Sequence, residues 1–301
     1  MTDSIKIKGL TAAVVTPMKQ DGSVNLDTIP DYAEFLIRRG VDGVFVNGTT
    51  GEGLLMDEEE RKAVAQKWMD YSDRLNILVH VGSTSYVVAR KLASHAGEIG
   101  AKAISAMGPC FLPPQGVDEL VAFNRLIAAA APNTPYYYYH IPGTSHVDVD
   151  MVEFLDKGSK EIPNLNGIKY TDFNTAVMLD CIRFAGGRFD ILHGHDETLI
   201  AGLGIGASGC IGTSYNITSP IFRKMISKYS CGDVQAARSL QWEANKTISL
   251  MNKRVNVIVG SKAMLEVMGI KAGPCRLPIQ NITKAQSLEL EAEMKGLNIL
   301  D

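Results

Sequence analysis

The sequence predicts an α/β protein, a (β/α)8 TIM barrel followed by a helical C-terminal extension. Short apolar runs rich in β-branched or aromatic residues alternate with amphipathic helical patterns, which is typical of parallel strands. Eight such units occupy about 230 residues, which suits a barrel of roughly 250 residues better than an open sheet of five or six strands. Only helical patterns follow. We therefore predict a catalytic barrel domain at residues 1–230 and a helical extension at 231–301.

The predicted elements alternate along the chain, and turn residues mark several of their ends. Asp27 and Asp57 occupy expected N-cap positions, while Gly40 and Gly100 stand where helices end. The predicted strands are residues 11–17, 43–47, 76–82, 101–107, 135–140, 167–170, 190–194 and 207–212. The predicted helices are residues 27–40, 57–72, 86–99, 117–131, 150–158, 174–185, 197–204, 220–229, 233–251, 255–268 and 283–295.

The composition is that of an ordinary folded chain, with 46% hydrophobic and 21% charged residues among 301. A net charge of −3 argues against a nucleic-acid or anionic-membrane partner. We find no apolar run of about 18 residues and no hydrophobic core for a signal peptide, so we expect a cytoplasmic protein with no membrane span. The five cysteines are widely spaced without a C-x-x-C motif, which indicates neither a disulfide framework nor a zinc site.

Active sites of barrel enzymes lie at the carboxyl ends of the strands, and polar residues gather at five of the predicted ends. Lys169 is the sharpest of these features because it lies inside a short strand, where the side chain points into the barrel or into the helix layer. A buried amine has a lowered pKa and is a nucleophile toward carbonyl carbon. The alternative is an exposed lysine at a strand end.

Two other segments bear on that choice. In the run Tyr136–Tyr139, alternation places Tyr137 and Tyr139 on one face, so Tyr139 could present its hydroxyl beside Lys169 on the adjacent strand. The turn Gly48-Thr49-Thr50-Gly51-Glu52 offers backbone N–H groups and hydroxyls that can hold an anion such as a substrate carboxylate. A plain connection between strand and helix is the alternative for this turn.

Two patterns point to chemistry that we do not favour. His193 and His195, followed by Asp196 and Glu197, carry metal-ligand side chains. A catalytic metal needs three convergent ligands with further support, and the other strand ends offer only His140 and His80, so we predict no metal. Asp196 and Glu197 instead suit a polyhydroxylated substrate, or serve as an acidic N-cap. The G-x-G-x-x-G match at 204–209 follows a helix and precedes a strand, the reverse of the dinucleotide fingerprint, so NAD is rejected.

With these residues assembled, the chain resembles the pyruvate-dependent class I aldolases, the family that contains dihydrodipicolinate synthases and N-acetylneuraminate lyases. The resemblance covers almost the whole chain. Five ordered motifs carry it: Gly48-Thr49-Thr50-Gly51-Glu52, Tyr139-His140-Ile141-Pro142, Gly167-Ile168-Lys169, Gly194-His195-Asp196-Glu197 and the stretch 206–216.

The branch of the family follows from two segments. Dihydrodipicolinate synthases carry an arginine shortly after the Y-x-I-P segment, whereas this chain continues Gly143-Thr144-Ser145-His146. The G-x-D-E segment and Y-Y-H-I-P are similar to the sialic acid lyases, especially the animal type. The resemblance implies reversible cleavage of N-acetylneuraminate to N-acetylmannosamine and pyruvate in a homotetramer, without a cofactor.

The resemblance also implies roles for particular residues. Lys169 forms the Schiff base, and Tyr139, assisted by Thr49, moves the proton of the C4 hydroxyl. Thr49 and Thr50 bind the substrate carboxylate. The remaining implied substrate-binding residues are Thr171, Gly194, Asp196, Glu197 and Thr213.

Two places depart from the family pattern, the segment after the fourth strand and Thr213, which stands where the bacterial lyases have serine. Many relatives place a tyrosine from a neighbouring subunit after the fourth strand, where this chain has Gly108-Pro109-Cys110-Phe111-Leu112. Three alternative functions stay open from the sequence. They are an aldolase or dehydratase of shorter 2-keto-3-deoxy sugar acids, a catalytically silent sugar-acid-binding protein, and a metal-dependent hydrolase.

Overall fold

The computed structural model describes residues 5–253, 256–297 and 299. Eight parallel strands form a closed barrel in chain order, and the last strand pairs with the first. The predicted (β/α)8 fold is therefore confirmed. The strands are β1 Gly9–Ala13, β2 Gly43–Val46, β3 Asn76–His80, β4 Ala103–Ala106, β5 Tyr136–His140, β6 Leu165–Tyr170, β7 Asp190–His193 and β8 Gly209–Gly212.

Helices follow the strands and continue beyond the barrel. The first nine are α1 Ile29–Arg38, α2 Glu58–Trp68, α3 Tyr86–Glu98, α4 Val117–Ala128, α5 Pro142–Ser145, α6 Met151–Glu161, α7 Thr175–Arg183, α8 Leu199–Ile205 and α9 Tyr215–Ser230. The last three are α10 Val234–Asn252, α11 Val257–Val267 and α12 Lys284–Gly296.

The first strand shows the largest shift from its predicted position. The prediction covered residues 11–17, but pairing within β1 ends at Ala13. Val14 and Val15 are buried all the same, at 2% and 0% exposure. The apolar run therefore indicates correctly which residues are buried. It does not indicate where the strand ends, because the loop after Ala13 is buried as well.

Helix boundaries differ where local signals mislead. The eighth predicted helix starts at Pro220, but the corresponding helix α9 begins at Tyr215 and contains that proline. Asp57 caps α2 as predicted, whereas Thr28 rather than Asp27 is the N-cap of α1. The short helix α5 was not predicted, because four residues carry no helical period. The tenth predicted helix, which corresponds to α11, starts at Val255, and this residue lies outside the described residues.

Strand alternation divides the buried apolar side chains into two clusters. The cluster inside the barrel includes Phe45, Tyr137, Tyr139 and Leu192. Tyr136 and Tyr138 belong to the larger cluster between the strands and the helices. The prediction that Tyr137 and Tyr139 share one face is confirmed, because successive side chains of a strand point to opposite faces.

The C-terminal helices pack against the barrel and against one another. Helix α10 packs along α9, α11 contacts both of these helices, and α12 packs against α11. The division at residue 230 stays a prediction. Within the described residues, the helices lack the combination of length and apolar character that a membrane crossing requires.

Candidate active site

Lys169 and Tyr139 lie side by side at the carboxyl ends of β6 and β5. The parallel register of these strands pairs the two residues directly. Both side chains are buried, with exposures of 4% for Lys169 and 3% for Tyr139. The predicted neighbourhood of the two residues is therefore confirmed, and the alternative of an exposed Lys169 is wrong.

The Lys169 amine lies between two aromatic rings. Its Nζ atom is 3.7 Å from the centroid of the Tyr139 ring and 4.1 Å from the centroid of the Phe45 ring. Burial lowers the pKa of Lys169, while Tyr139 and Asp196 act in the opposite direction. A buried amine with a lowered pKa has a larger neutral fraction near pH 7, and the neutral amine is the nucleophile.

The turn after β2 places its two threonines differently. Thr49 is exposed, whereas Thr50 is buried at 6% exposure. The Thr50 and Thr213 hydroxyl oxygens are 2.7 Å apart, which joins this turn to the segment after β8. The structure thus brings two predicted carboxylate- and substrate-binding residues together, while assistance of Tyr139 by Thr49 stays a prediction.

Thr171 and Gly194 meet at the ends of β6 and β7. A Cβ atom at Gly194 would lie 2.0 Å from the Thr171 Oγ1 atom, so only glycine fits there. The Gly194 N–H donates to the Tyr170 carbonyl at 2.8 Å, which fixes this approach. The Thr171 hydroxyl is buried and has no hydrogen-bond partner within the described part of the chain.

Asp196 and Glu197 follow β7 but occupy different environments. Asp196 is 8% exposed, and its Oδ2 atom accepts a hydrogen bond of 2.5 Å from the Ser214 N–H. Burial raises the pKa of Asp196, while the hydrogen bond from Ser214 acts in the opposite direction. Glu197 is partly exposed, with its Oε1 atom 3.6 Å from His195 Nδ1, and the adjacent His195 lowers the Glu197 pKa.

The two histidines near the end of β7 point in different directions. His193 is buried, its ring lies against Gly202 of α8, and its Nε2 atom is 3.1 Å from the Thr198 hydroxyl. His195 lies beyond the strand and stacks on Phe173 at 3.9 Å between ring centroids. Across residues 5–253, 256–297 and 299, no three histidine, cysteine or acidic side chains gather as a metal site.

A family model described as the dihydrodipicolinate synthetase family matches residues 6–297. The chain belongs to this family. It is similar to mouse N-acetylneuraminate lyase, with 37% identity over 98% of this chain and 94% of that protein. Its structure is similar to that of Proteus mirabilis N-acetylneuraminate lyase, with a TM-score of 0.95 and 38% identity, covering 98% and 100% of the two chains.

A second solved structure is similar to this chain over nearly its whole length. N-acetylneuraminate lyase from Aliivibrio salmonicida has a TM-score of 0.95 and 37% identity, with 99% of each chain covered. These findings confirm the resemblance that the five motifs predict. The membership of the dihydrodipicolinate synthetase family thus rests on the whole chain as well as on the motifs.

Several residues at this family site escaped the sequence analysis. Phe45 contacts the Lys169 amine, and period-two alternation along β2 could have indicated that it faces inward. His80, considered above only as a possible metal ligand, ends β3 and lies edge to face with Tyr139, 5.6 Å between ring centroids. Phe173 is 64% exposed beside His195, and no local pattern pairs these two rings.

The loop after β4 carries two strongly exposed apolar side chains. Phe111 and Leu112 are 85% and 79% exposed there. Neither residue carries a hydroxyl group, so the loop supplies no tyrosine to a proton relay.

Proposed function

We propose that this chain is a carbon–carbon lyase that cleaves N-acetylneuraminate reversibly to N-acetyl-D-mannosamine and pyruvate through a Schiff base on Lys169. The observation that carries the proposal is the Lys169 amine, buried over the Tyr139 ring at the carboxyl end of the barrel. The likeness to named N-acetylneuraminate lyases over nearly the whole chain supports the choice of substrate.

The proposed cycle uses the side chains of the chain itself. Lys169 attacks the C2 ketone of the open-chain sugar acid, and Tyr139 donates its phenol proton to the carbinolamine hydroxyl, which leaves as water. The resulting iminium accepts the electron pair of the C3–C4 bond. Tyr139, assisted by Thr49, takes the proton of the C4 hydroxyl as that carbon becomes the aldehyde of N-acetylmannosamine. Tyr139 then protonates the enamine carbon, and hydrolysis of the iminium releases pyruvate and restores the Lys169 amine.

Substrate binding is proposed for residues around this pair. Thr49 and Thr50 bind the carboxylate through backbone N–H groups and hydroxyls, and the short distance between the Thr50 and Thr213 hydroxyls supports a continuous polar surface. The proposed partners of the sugar hydroxyls are Thr171, Gly194, Asp196, Glu197 and Thr213. The unpartnered buried hydroxyl of Thr171 supports its place in this set.

Trapping with borohydride in the presence of pyruvate tests the Schiff base. We expect a reduced three-carbon adduct on the Lys169 peptide and on no other lysine peptide. Lys169→Ala should form no adduct and lose almost all turnover, while Lys160→Ala, which changes an exposed surface lysine, should behave as the parent protein. An unmodified Lys169, under conditions that trap a known aldolase of this class, contradicts the mechanism.

The substrate is tested separately by measuring pyruvate release from a panel of keto-deoxy acids. We expect kcat/KM to be highest for N-acetylneuraminate, because Asp196 and Glu197 suit a long polyhydroxylated chain. A higher kcat/KM for a shorter 2-keto-3-deoxy acid would leave the Schiff base intact but overturn the substrate assignment.

The assembly and location of the protein are further proposals. We propose a cytoplasmic homotetramer that acts on small-molecule substrates and binds neither nucleic acid nor membranes. The resemblance to the family supports the tetramer, and the net charge of −3 supports the absence of a polyanionic partner. Light scattering coupled to size exclusion tests the tetramer, since a molar mass other than four chains would exclude it.

A further inference from the structure

A buried ion pair joins the turn after β2 to the C-terminal extension. Glu52 Oε1 lies 2.5 Å from Lys262 Nζ, with side-chain exposures of 0% and 3%. Glu52 ends the turn that contains Thr49 and Thr50, whereas Lys262 lies in α11. Contact between residues so far apart in sequence places α11 directly behind the proposed carboxylate site.

The other polar atoms of the pair hold a second C-terminal segment. Glu52 Oε2 accepts a hydrogen bond of 2.7 Å from the Arg276 N–H. Lys262 Nζ donates to the Pro274 carbonyl at 2.7 Å. The ion pair therefore links the turn, α11 and residues 274–276 in one buried network.

Arg276 extends this network around the turn. Its guanidinium donates to the Gly22 and Leu55 carbonyls, each at 2.8 Å, and to the carboxylate of Glu60 at 2.7 Å. Leu55 ends the short 3-10 helix Gly53–Leu55 that follows the turn, and Glu60 belongs to the first turn of α2. The C-terminal segment thus holds the residues that follow the turn, together with the loop at Gly22.

The backbone of the turn needs such support. Asn47 and Glu52 adopt left-handed conformations with φ of 60° and 55°, which side-chain-bearing residues rarely adopt. A Cβ atom at position 53 would lie 1.9 Å from the Asn47 carbonyl oxygen, so Gly53 allows the chain to close tightly. A conformation of this kind persists only where the surrounding structure holds it.

Stability alone is a weak reason for burying this ion pair. Removing two charges from water opposes their attraction, so apolar residues of similar volume often serve the fold equally well. A buried pair does, however, fix the relative position of the groups that carry it. Its place directly behind the two threonines points to a role in shaping the site.

We propose that Glu52 and Lys262 are positioning residues that hold the Thr49–Thr50 turn in the geometry that binds the substrate carboxylate. The C-terminal extension thereby completes the active site. This inference rests on the proposed function, because it takes the turn to be the carboxylate site.

The test uses the double variant Glu52→Gln/Lys262→Met in the full chain. Each single change would leave a buried charge unpaired and destabilise the fold, whereas the double change removes both charges. We expect the double variant to unfold close to the parent temperature, with KM for pyruvate in the condensation direction raised about tenfold or more and kcat changed much less. Glu291→Gln/Lys295→Met, which makes the same substitutions in an exposed ion pair within α12, is the matched control and should keep the parent KM.

A second measurement separates positioning from general loosening of the site. Borohydride trapping on Lys169 is compared for pyruvate and for hydroxyacetone, a ketone without a carboxylate. We expect the double variant to need much more pyruvate for half-maximal trapping but the parent concentration of hydroxyacetone. Equal losses for both ketones, or a parent KM for pyruvate, would overturn the positioning role. Failure of the parent protein to trap pyruvate at Lys169 would instead overturn the proposed function.

Discussion

Two tyrosines on the same face of β5, Tyr137 and Tyr139, contact different partners at opposite ends of the barrel. The Tyr137 hydroxyl donates to Asp190 Oδ2 at 2.8 Å and accepts from the Asn166 amide at 2.6 Å, toward the amino-terminal end of the barrel. The ring of Tyr139 instead lies beneath the Lys169 amine at the carboxyl end. The same residue type, two positions apart, therefore serves the fold in one case and the proposed chemistry in the other.

This contrast leads to a paired prediction. Tyr139→Phe should lower kcat by about 10² to 10⁴ and change KM less, because it removes a proposed acid and base but keeps the ring. Tyr137→Phe should keep kcat near the parent value and lower the free energy of unfolding by about 1.5 to 3 kcal/mol, because it removes a hydrogen bond to a charged group. Steady-state kinetics and denaturant unfolding measure both effects, and a parent-like kcat for Tyr139→Phe would contradict the assigned role.

At the scale of elements, the helix after the proposed carboxylate turn starts with a capping box. Asp57 accepts a hydrogen bond of 2.8 Å from the Glu60 N–H, and the Glu60 carboxylate accepts one of 3.0 Å from the Asp57 N–H. Both donors would otherwise lack a partner within the helix. The sequence indicates this cap correctly, because the acidic residue precedes the helical pattern directly.

Loss of this cap should destabilise the protein modestly. We expect Asp57→Ala to lower the free energy of unfolding by about 0.5 to 2 kcal/mol, and Asp57→Ser to lower it less, because serine still accepts from the helix backbone. Urea unfolding monitored by circular dichroism measures the difference. Equal losses for alanine and serine would show that the side-chain cap is not the cause.

At the scale of elements the sequence predicted helices and strands well but misplaced some boundaries. Pro220 was taken as a helix start, yet α9 begins five residues earlier because Asn216 holds the chain there through bonds to Ala13 and Tyr32. These partners lie on β1 and α1, far away in sequence. Local patterns report how a segment is buried, whereas its ends depend on what it packs against.

At the scale of the whole molecule, the fold buries three histidines almost completely. His80, His140 and His193 are 3%, 2% and 1% exposed. Burial lowers the pKa of His140 and of His193 to about 4, and that of His80 well below its usual value. All three are thus neutral in the folded protein at pH 7, because a charged imidazole would be held in the interior without its hydration.

These histidines predict a loss of stability in acid. In the unfolded chain each has a pKa of about 6.5, so below that pH the unfolded state binds protons that the folded state does not. The free energy of unfolding should therefore fall by about 1.5 kcal/mol per histidine between pH 6.5 and pH 5, where most carboxylates stay ionised. Urea unfolding at both pH values measures the fall, which should be smaller in His140→Gln and unchanged in His146→Asn, a change at an exposed site. A pH-independent stability over this range contradicts the prediction.

The sequence by itself determined the eight βα units and the closeness of Lys169 to Tyr139, because these follow from short-range periodicity and from the order of strands in a barrel. Its five ordered motifs indicated the family by resemblance. Only the tertiary structure decided that Phe45 contacts the Lys169 amine, that Thr49 is exposed while Thr50 is buried, and that Lys262 neutralises Glu52. The physical reason is the separation along the sequence between the residues that interact. Alternation encodes which face of an element is buried, but the partner of a buried group is chosen when distant elements pack, and no local pattern records that choice.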